Sequence, residues 1–435
     1  MMPTRKIQTV PGPIAGTIRP PGSKSLTNRA LLLAALAQGT SRISGLLDSE
    51  DTRVMLNALQ TLGVSIQVDW TKGIAEVAGT GGRFPKSSAV ELDVQNSGTT
   101  IRFLTAALTA AGGQFSLRGI PRMHQRPIGD LVRALQSLGG GVSAQGNQKF
   151  PPVEIASAGL RGGTVQVAGN LSSQFLSGLL MAAPLAQATV EIVVIGNLVS
   201  QPYVRMTLAN MKSFGVNVRT EGASLSRFII EPQAYRATDF SIEPDASAAS
   251  YFFAAAAICG GSSKILGLNR NSLQGDVAFV NLLERMGCHV VWGDEFIEVQ
   301  GPARIGIECE MSDISDTVQT LAAVSLFVNG PTTIRGIAHN RLKETDRIGD
   351  LAIELRKLGA SVTEHADGFM VIPGALRGAI LSTYNDHRMA MSLALVGLKV
   401  RGVEIENPDC VVKTYPNYFD DLDQFVGGEG NQPNR

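Results

Sequence analysis

Residues 56–66 read LNALQTLGVSI, an amphipathic helix pattern that ends at a glycine and is followed by a strand pattern. The pattern recurs as LVRALQSLGGGV, LANMKSFGVNV, NLLERMGCHVV and ELRKLGASV, and a shortened copy, YPNYFDDLDQF, begins at Tyr415. Its glycines, 72 to 76 residues apart, are Gly63, Gly139, Gly215, Gly287 and Gly359. Glycine suits this position because a left-handed C-terminal cap costs it no Cβ clash. The chain is therefore predicted to be an internal repeat.

A second motif repeats with the same period, and in it a polar loop opens a helix that is apolar on almost every face. Its copies are SKSLTNRALLLAALA, SGTTIRFLTAALTA, SSQFLSGLLMAAPLA, DASAASYFFAAAAI, DTVQTLAAVSLFV and DHRMAMSLALVGL. Their first turns align at Ser25, Ser97, Ser172, Asp245, Asp316 and Asp386. A helix that is apolar all round is buried. We predict six units of the α/β class, each with one buried helix, one half-exposed helix and short β-strands.

Six units predict two lobes, because one hydrophobic core seldom holds more than about 250–300 residues. Two proline-bearing joints, RPPGS at 19–23 and IEPDAS at 242–247, are the candidate crossings between the lobes. Residues 24–242 are assigned to one lobe, and residues 1–19 with 247–435 to the other. Two adjacent crossings predict a hinge, with a ligand cleft between the lobes.

Composition excludes several classes of protein. The 435 residues are 44% hydrophobic and 17% charged, unlike a disordered chain or a coiled coil. Basic and acidic residues balance at 38 each, without the basic excess of a nucleic-acid or acidic-membrane binder. Neither a secretory signal nor a membrane span is found, so a cytoplasmic location is expected, and a monomer is the default. The cysteines, predicted to be buried free thiols rather than zinc ligands, are Cys259, Cys288, Cys309 and Cys410.

Side chains that chemistry could use gather at the starts of the buried helices. A helix N-terminus binds anions through its unpaired N–H groups and partial positive charge. The residues at these starts include Lys24, Ser25, Arg29, Asn96, Gly98, Thr99, Arg102, Ser172, Ser173 and Gln174. Each serine or threonine alone is more often an ordinary N-cap. Six starts in register with basic partners favour phosphate or carboxylate recognition.

Basic residues also follow the second motif, at Arg122, Arg126, Arg341, Lys343, Arg347, His387, Arg388 and Lys413. Arg122 and Arg341 are also compatible with a solvated surface. In a chain of zero net charge, such clusters need an anionic partner, and arginine grips carboxylate or phosphate with two hydrogen bonds. The pattern predicts a site for two anionic groups.

Two carboxylates, Asp316 and Glu344, are candidates for proton transfer. The alternative is that Asp316 caps its helix and that Glu344 makes a capping-box or ion-pair contact. The sequence has no Walker loop, no GxGxxG after a strand, no HExxH and no GxSxG. Nucleotide, zinc and serine-hydrolase chemistry therefore lack support.

With these residues assembled, the chain closely resembles the 5-enolpyruvylshikimate-3-phosphate synthase family over nearly its full length. The most specific segments are PGSKSLTNRALLLAALA, PRMHQRPIGDLV, SSQFLSGLLMAAPLA, DASAASYFFAAAAI, KETDRIGDLAIELRKLGA, YNDHRMAMSLALVGL and KTYPNYF. The resemblance implies a two-lobed inside-out α/β barrel with three repeats in each lobe. It also implies transfer of the enolpyruvyl group of phosphoenolpyruvate to the 5-hydroxyl of shikimate 3-phosphate, with release of phosphate. The implied route is addition and elimination through a tetrahedral intermediate, without a metal or organic cofactor.

The resemblance further implies residue roles. Shikimate 3-phosphate would be held by Lys24, Ser25, Arg29, Ser172, Ser173, Gln174, Ser200, Asp316, His339 and Lys343. Phosphoenolpyruvate would be held by Lys24, Gly98, Arg126, Gln174, Arg347, Arg388 and Lys413. Asp316 is implied as the base that takes the 5-hydroxyl proton, and Glu344 as the acid that protonates the methylene carbon. Lys24, implied to be catalytic, would contact both substrates.

Two of the departures from the family pattern bear on the implied substrate contacts. The family's NAGTAMRP reads NSGTTIRF here, so Phe103 replaces a proline beside the implied phosphoenolpyruvate pocket. His339 stands where the family commonly has asparagine, and Asn340 follows it. Either of these two side chains could make the substrate contact.

Two other functions share part of this pattern. The sister enolpyruvyl transferase that acts on UDP-N-acetylglucosamine shares the fold, but usually has a cysteine in a loop near residue 115, whereas the first cysteine here is Cys259. A non-catalytic anion-binding protein on the same scaffold would be expected to lose Asp316, Glu344 or one of the arginines. All of these residues are present.

Overall fold

The computed structural model describes residues 3–170, 172–222 and 225–427. Residue contacts divide the chain into two compact units. The split unit is Met1–Pro21 with Glu243–Arg435, and the continuous unit is Gly22–Ile242. Both units combine helices with small sheets, as the predicted α/β class requires. Within the described residues, no helix is both long and apolar enough to cross a membrane.

The helices follow the sequence repeat. In chain order they are α1 (Lys24–Leu36), α2 (Glu50–Thr61), α3 (Gly98–Ala111), α4 (Gly129–Ser137), α5 (Gln145–Gln148), α6 (Ser173–Ala182), α7 (Gln201–Ser213), α8 (Ala246–Cys259), α9 (Phe279–Arg285), α10 (Val318–Val324), α11 (Gly349–Lys357), α12 (His387–Gly397) and α13 (Tyr418–Gly427). The predicted buried helices are α1, α3, α6, α8, α10 and α12. Apart from the single turn α5, each other helix is the half-exposed member of its repeat.

The strands are short and form six small sheets among the described residues. From the N-terminus they are β1 (Thr4–Lys6), β2 (Ile14–Ile18), β3 (Gln38–Ser44), β4 (Ser65–Asp69), β5 (Ile74–Thr80), β6 (Val90–Asp93), β7 (Gly113–Arg118), β8 (Val142–Ala144), β9 (Phe150–Ser157), β10 (Gly163–Ala168), β11 (Val190–Ile195) and β12 (Arg219–Glu221). The remaining strands are β13 (Arg227–Ile230), β14 (Asp239–Ser241), β15 (Gly261–Leu266), β16 (His289–Trp292), β17 (Phe296–Gly301), β18 (Glu308–Glu310), β19 (Thr332–Arg335), β20 (Ser361–His365), β21 (Gly368–Ile372), β22 (Ile380–Leu381) and β23 (Glu404–Glu406).

All six sheets share one pattern, in which a parallel pair is extended by antiparallel strands. The continuous unit has the orders β14-β3-β5-β4, β6-β7-β9-β8 and β10-β11-β13-β12. The split unit has β2-β15-β17-β16, β18-β19-β21-β20 and the three-stranded β22-β23-β1. In the last of these, the N-terminal strand supplies the antiparallel neighbour, with Arg5 opposite Ile405. The shortened sixth repeat is thus completed by the start of the chain.

Two strands pair far from their own position in the chain. β14 directly precedes α8, yet it pairs in parallel with β3, with Phe240 beside Ile43. β2 directly precedes α1, yet it pairs with β15, with Gly16 beside Ser263. Each pairing lies within one unit: the first joins the two ends of the continuous unit, and the second joins the two segments of the split unit. This exchange places both crossings between the units immediately before a buried helix.

The hydrophobic core of each unit is built around its buried helices. Every residue of α8 and of α12 is buried, and α1 is buried from Leu26 onward. Helix α10 packs on both α8 and α12, and α3 packs on α6. A fully buried leucine or isoleucine side chain stabilises the fold by about 1.5–3 kcal/mol. Strands such as β5 alternate buried and exposed residues, so each sheet has one face on the helices and one face in water.

The glycines predicted to end the half-exposed helices do so. Their φ angles lie between +82° and +102° in Gly63, Gly139, Gly215, Gly287 and Gly359. The Gly287 N–H donates to the Glu284 carbonyl over 2.9 Å. These bonds complete the last turn in a conformation that other residues rarely adopt. The four cysteines are free and buried, as predicted, and burial raises the pKa of the Cys410 thiol to about 12.

Two helix starts differ from the predicted register. The N-cap of α1 is Ser23, whose Oγ accepts from the Leu26 N–H over 3.5 Å, and Ser25 lies within the helix. Asp316 does not cap α10, because it lies inside a 3₁₀ helix, Ser312–Thr317, that precedes it. The alternative that Asp316 is merely a helix cap is therefore wrong. The other four predicted caps, at Ser97, Ser172, Asp245 and Asp386, each accept a backbone N–H.

The substitution Gly287→Ala tests the role of these glycines. An added Cβ would have its nearest neighbour, Arg304 Cβ, at 3.6 Å, so crowding is absent and only the backbone conformation is penalised. We expect a loss of about 1–2 kcal/mol in the free energy of unfolding, measured by urea denaturation. Gly12→Ala is the matched control, because its Cβ meets no atom within 4 Å and its φ is not positive. Equal stability of the two variants would contradict the assignment.

Candidate functional site

Most of the residues singled out from the sequence fall into two groups, one in each unit, and each group gains an aspartate that the sequence analysis did not assign to the site. The continuous-unit cluster contains Lys24, Asp51, Asn96, Gly98, Arg102, Arg126 and Gln174. The split-unit cluster contains Asp316, His339, Lys343, Glu344, Arg347, Asp386 and Arg388.

The first turns of α1, α2 and α3 meet in the continuous-unit cluster. Lys24 Nζ lies 3.6 Å from Asp51 Oδ2, and the two side chains are 13% and 3% exposed. The Thr99 hydroxyl donates to the same carboxylate oxygen over 3.4 Å and accepts from Asn28 Nδ2 over 2.7 Å. Asp51 was not singled out from the sequence, since an acidic residue in the first turn of a helix is common. Here it orients Lys24.

Arg29 is buried more deeply than its implied role suggests. It is 1% exposed, and its guanidinium donates to Thr207 Oγ1 over 2.8 Å, to the Ser25 carbonyl over 3.0 Å and to Ser177 Oγ over 3.2 Å. Burial lowers the pKa of Arg29 to about 10. Its guanidinium carbon lies 5.1 Å from the ring centroid of Phe103, the residue that departs from the family pattern. Arg29 therefore joins α1 to α6 and α7, and a direct substrate contact would need one of these bonds to be exchanged.

Two guanidinium groups converge on Gly98 at the start of α3. A Cβ added at Gly98 would lie 2.5 Å from Arg126 Nη2 and 2.7 Å from Arg102 Nη1. Arg126 donates to the Asn96 carbonyl over 3.0 Å, and Arg102 donates to Gln174 Oε1 over 2.5 Å. The absence of a side chain at Gly98 thus lets both arginines reach the positive end of a 14-residue helix. This is an arrangement that suits an anion.

The serines lie at the starts of α6 and α7, which pack together. Ser172 caps α6 by accepting from the Gln174 N–H over 3.3 Å, and Ser173 is 7% exposed in the first turn. Ser200 precedes α7 with φ +56°, a left-handed conformation, and is 5% exposed. The Arg122 guanidinium donates to Gln125 Oε1 over 3.1 Å.

Asp316 is the centre of the split-unit cluster. Its Oδ1 lies 2.7 Å from Lys343 Nζ and 3.4 Å from Arg347 Nη1, and its Oδ2 lies 2.8 Å from Arg388 Nη2. The side chain is 15% exposed. The 3₁₀ helix before α10 frees this carboxylate from capping and turns it toward three cations.

Arg347 is held by three carboxylates although only 1% of its side chain is exposed. Its Nε and Nη2 donate to the two oxygens of Asp386 over 2.7 and 3.1 Å, and Nη2 lies 2.9 Å from Glu344 Oε2. Burial opposes the charge on Arg347, but Asp386, Glu344 and Asp316 outweigh it and raise its pKa. The alternative of an ion-pair contact for Glu344 is thus present, with Arg347 as its partner.

Asp386 is a residue of this cluster that the sequence reasoning did not include in the site. Besides pairing with Arg347, it caps α12 by accepting from the Arg388 N–H over 2.9 Å. One carboxylate therefore orients the side chain of Arg347 and the backbone of Arg388. The signal available in the sequence was an acidic N-cap two residues before an arginine. That pattern is also the one expected of an ordinary cap.

His339 rather than Asn340 faces the charges of the cluster. The side chain of Asn340 donates to the Ser315 carbonyl over 2.9 Å and is fully buried. His339 is 8% exposed, and burial together with the neighbouring positive charge of Lys343 lowers its pKa to about 3. His339 is therefore neutral near pH 7. Burial also lowers the pKa of Lys343, against the attraction of Asp316.

Of the remaining basic residues, Arg388 and Lys413 are buried, whereas Arg341 is partly exposed. Arg388 Nη1 contacts the Tyr251 hydroxyl over 3.4 Å, and Lys413, at the end of the 3₁₀ helix Pro408–Lys413, is 6% exposed. Arg341 lies outside the cluster and pairs with Asp346 over 2.7 Å, as a solvated surface residue would. His387 is 1% exposed within α12.

The two clusters offer chemistry for anions and protons. Three cationic side chains, two of them more than nine-tenths buried, contact Asp316 in the split unit, and one of them, Arg347, also pairs with Glu344. Across the described ranges, no three His, Cys, Asp or Glu side chains are grouped as metal ligands. The geometry thus combines anion binding with two carboxylates that can accept or donate a proton.

Comparisons with known proteins give the family. The sequence model of EPSP synthase (3-phosphoshikimate 1-carboxyvinyltransferase) matches residues 8–422. A 3-phosphoshikimate 1-carboxyvinyltransferase of Sulfurovum sp. (strain NBC37-1) is 47% identical over 415 residues, which are 95% of this chain and 97% of that protein. The enzyme of the same name from Vibrio atlanticus (strain LGP32) is 48% identical over 412 residues, 94% of this chain and 96% of that protein.

A solved structure agrees with these sequences. The EPSP synthase of Acinetobacter baumannii superposes with a TM-score of 0.81 at 25% identity, over 99% of this chain and 100% of that one. The resemblance and the two-lobed α/β fold expected from the sequence are therefore confirmed. With the family matched over nearly the whole chain and relatives near half identity, the chain belongs to the EPSP synthase (3-phosphoshikimate 1-carboxyvinyltransferase) family of transferases.

Proposed function

We propose that this chain transfers the enolpyruvyl group of phosphoenolpyruvate to the 5-hydroxyl of shikimate 3-phosphate, by addition and elimination through a tetrahedral intermediate. The observation that carries the proposal is the split-unit cluster. In this cluster Asp316 contacts Lys343, Arg347 and Arg388. Arg347 also pairs with Glu344. Membership of the family supports the reaction, which belongs to aromatic amino acid biosynthesis. The residue roles are inferred from the two clusters.

Phosphoenolpyruvate, with a phosphate and a carboxylate, needs at least two cationic grips. We assign one to Arg126 beside Gly98 at the start of α3, and another to Arg347 and Arg388 of the split-unit cluster. Lys24, Gln174 and Lys413 complete the set. Guanidinium groups bind both anionic groups with paired hydrogen bonds and hold the reacting carbons still. No metal ion is required by this assignment.

Shikimate 3-phosphate is assigned to the serines at the helix starts and to the polar part of the split-unit cluster. Ser172, Ser173 and Ser200 present hydroxyls at the ends of α6 and α7 that bind anions. Lys24, Ser25 and Gln174 lie in the first turns of α1 and α6, and Arg29 lies in the second turn of α1. Asp316, His339 and Lys343 complete the set, with neutral His339 in preference to Asn340.

The carboxylates are assigned the proton transfers. In the structure, Asp316 is the anion that Lys343, Arg347 and Arg388 contact. When substrate anions take over these cations, Asp316 is released to accept the 5-hydroxyl proton. Glu344, which pairs with Arg347 Nη2 over 2.9 Å, must be protonated to donate to the methylene carbon, so it has to take up a proton when substrate anions engage Arg347. Positive charge then develops on the neighbouring carbon, where the carboxylates stabilise it.

The substitution Glu344→Gln tests the acid. Glutamine keeps the shape of the side chain but supplies no acidic proton, so we expect kcat to fall by about 10²–10⁴-fold. Calorimetry should show that shikimate 3-phosphate still binds. Glu364→Gln is the control, because that carboxylate pairs with Arg356 at 3.2 Å, outside the cluster. A Glu344→Gln enzyme with near wild-type turnover would remove Glu344 from the mechanism.

The substitution Gly98→Ala tests the arginine pair of the continuous unit. The new Cβ would lie 2.5 Å from Arg126 Nη2, closer than real contacts allow, so this guanidinium must move. We expect the KM for phosphoenolpyruvate to rise about tenfold, while the KM for shikimate 3-phosphate changes little. Gly12→Ala, whose Cβ meets no atom within 4 Å, is again the control. An unchanged KM for phosphoenolpyruvate would show that Arg126 does not hold this substrate.

The reaction itself is tested by phosphate release from phosphoenolpyruvate, with shikimate 3-phosphate or UDP-N-acetylglucosamine as the acceptor. We expect release only with shikimate 3-phosphate, and a product of the mass of the enolpyruvyl adduct. Release only with UDP-N-acetylglucosamine would assign the chain the activity of the sister family. Folded protein that is silent with both acceptors would favour an anion-binding role.

The cytoplasmic location and the monomeric state expected from the sequence stay predictions. Cell fractionation and sedimentation test them.

A further inference from the structure

The turn that leads into α12 is strained. Two consecutive residues that are not glycine, Tyr384 and Asn385, have left-handed backbones with φ of +53° and +56°. Asparagine tolerates this conformation, but for tyrosine it is uncommon, because the Cβ approaches the following carbonyl oxygen. Such backbone strain persists only where the surrounding structure holds it in place. The contacts of neighbouring residues must therefore hold this turn in place.

A fully buried carboxylate, Glu354 of α11, binds the turn at both ends. Its Oε2 accepts from the Ser382 N–H over 3.0 Å, and its Oε1 accepts from the Tyr384 hydroxyl over 2.7 Å. Lys357 Nζ, at 2.8 Å from Oε2, balances its charge. The Asp386 N–H closes the turn by donating to the Thr383 carbonyl over 2.9 Å. None of these contacts was used in assigning the substrate roles.

The turn and α11 both lead directly into the split-unit cluster. Asp386 follows the turn at once, pairs with Arg347 and caps the backbone of Arg388. Arg347 lies two residues before α11, the helix that carries Glu354. The Glu354 contacts thus connect α11, which begins just after Arg347, to the turn that precedes Asp386. The Arg347–Asp386 ion pair connects the same two segments. A change in the turn would move Asp386, and with it the guanidinium of Arg347.

We propose that Glu354 and Tyr384 are positioning residues, whose hydrogen bond holds the strained turn 382–385 so that Asp386 orients Arg347 and Arg388 for phosphoenolpyruvate. The proposal rests on the roles assigned to these two arginines under the proposed function. It assigns neither Glu354 nor Tyr384 a contact with substrate. It also accounts for the strained backbone, since a relaxed turn would change the direction of the Asp386 side chain.

A pair of substitutions at Tyr384 separates positioning from packing. Tyr384→Phe keeps the strained backbone and loses the hydroxyl, so we expect the KM for phosphoenolpyruvate to rise about tenfold. Tyr384→Gly loses the hydroxyl as well, but glycine adopts the left-handed conformation without a clash. Its KM is expected to stay within about threefold of wild type. A role in packing predicts the reverse order, because phenylalanine keeps the ring contacts and glycine removes them.

A double-mutant cycle tests the bond between the two residues. Glu354→Gln alone is expected to raise the KM for phosphoenolpyruvate about tenfold, and the double variant with Tyr384→Phe no further than the larger single effect. The KM for shikimate 3-phosphate should change by less than about twofold in each variant. Glu364→Gln, which breaks an exposed ion pair with Arg356, is the matched control for the loss of a carboxylate.

The outcomes are distinct. Wild-type enzyme that releases no phosphate would overturn the proposed function itself. Active wild type with unchanged KM values in Tyr384→Phe and Glu354→Gln would overturn the positioning role alone. Additive effects in the double variant, or a Tyr384→Gly enzyme worse than Tyr384→Phe, would also overturn it. Melting temperatures measured on the same samples identify any variant that fails to fold. If Glu354→Gln fails to fold, the comparison of Tyr384→Phe with Tyr384→Gly still tests the positioning role.

Discussion

The split-unit cluster depends on one buried ion pair, between Arg347 and Asp386. Both side chains are removed from water, so neither is tolerated without the other, and loss of one partner of such a pair typically costs about 3–5 kcal/mol. The net gain in stability from a buried pair is small, because desolvation offsets the attraction. Its value lies in geometry. The two-bonded contact fixes the orientation of Arg347, and the same carboxylate caps the helix that carries Arg388.

The repeat explains why functional groups gather at helix starts. Each copy buries an apolar helix, and the only part of such a helix that can face water or a ligand is its end. In most copies a serine or aspartate caps that end, as at Ser97 and Asp245. In the fifth copy the 3₁₀ stretch before α10 moves Asp316 away from the cap position and toward Lys343, Arg347 and Arg388. The same position in the repeat thus caps a helix in four copies, whereas in the fifth copy it places a carboxylate beside three cations.

Much of the fold follows from local patterns in the sequence. Glycines at a constant period predicted where the half-exposed helices end, and apolar runs predicted the buried helices, because both features act over a few neighbouring residues. The family could also be recognised, since its motifs are contiguous. The pairing of β14 with β3 and of β2 with β15 could not be predicted in this way. Strand pairing across hundreds of residues depends on the packed core and leaves no local signal.

The sequence by itself determined the repeat, the class of fold, the family and the residue types available for binding anions. Only the tertiary structure decided what those residues contact. It buried Arg29 among the hydroxyls of Thr207 and Ser177, and it placed His339, not Asn340, beside the charges. The physical reason is that hydrogen bonding and burial act between elements distant in the chain. The charge of a side chain follows from its residue type. Its hydrogen-bond partners and its exposure to water are set only when the helices pack.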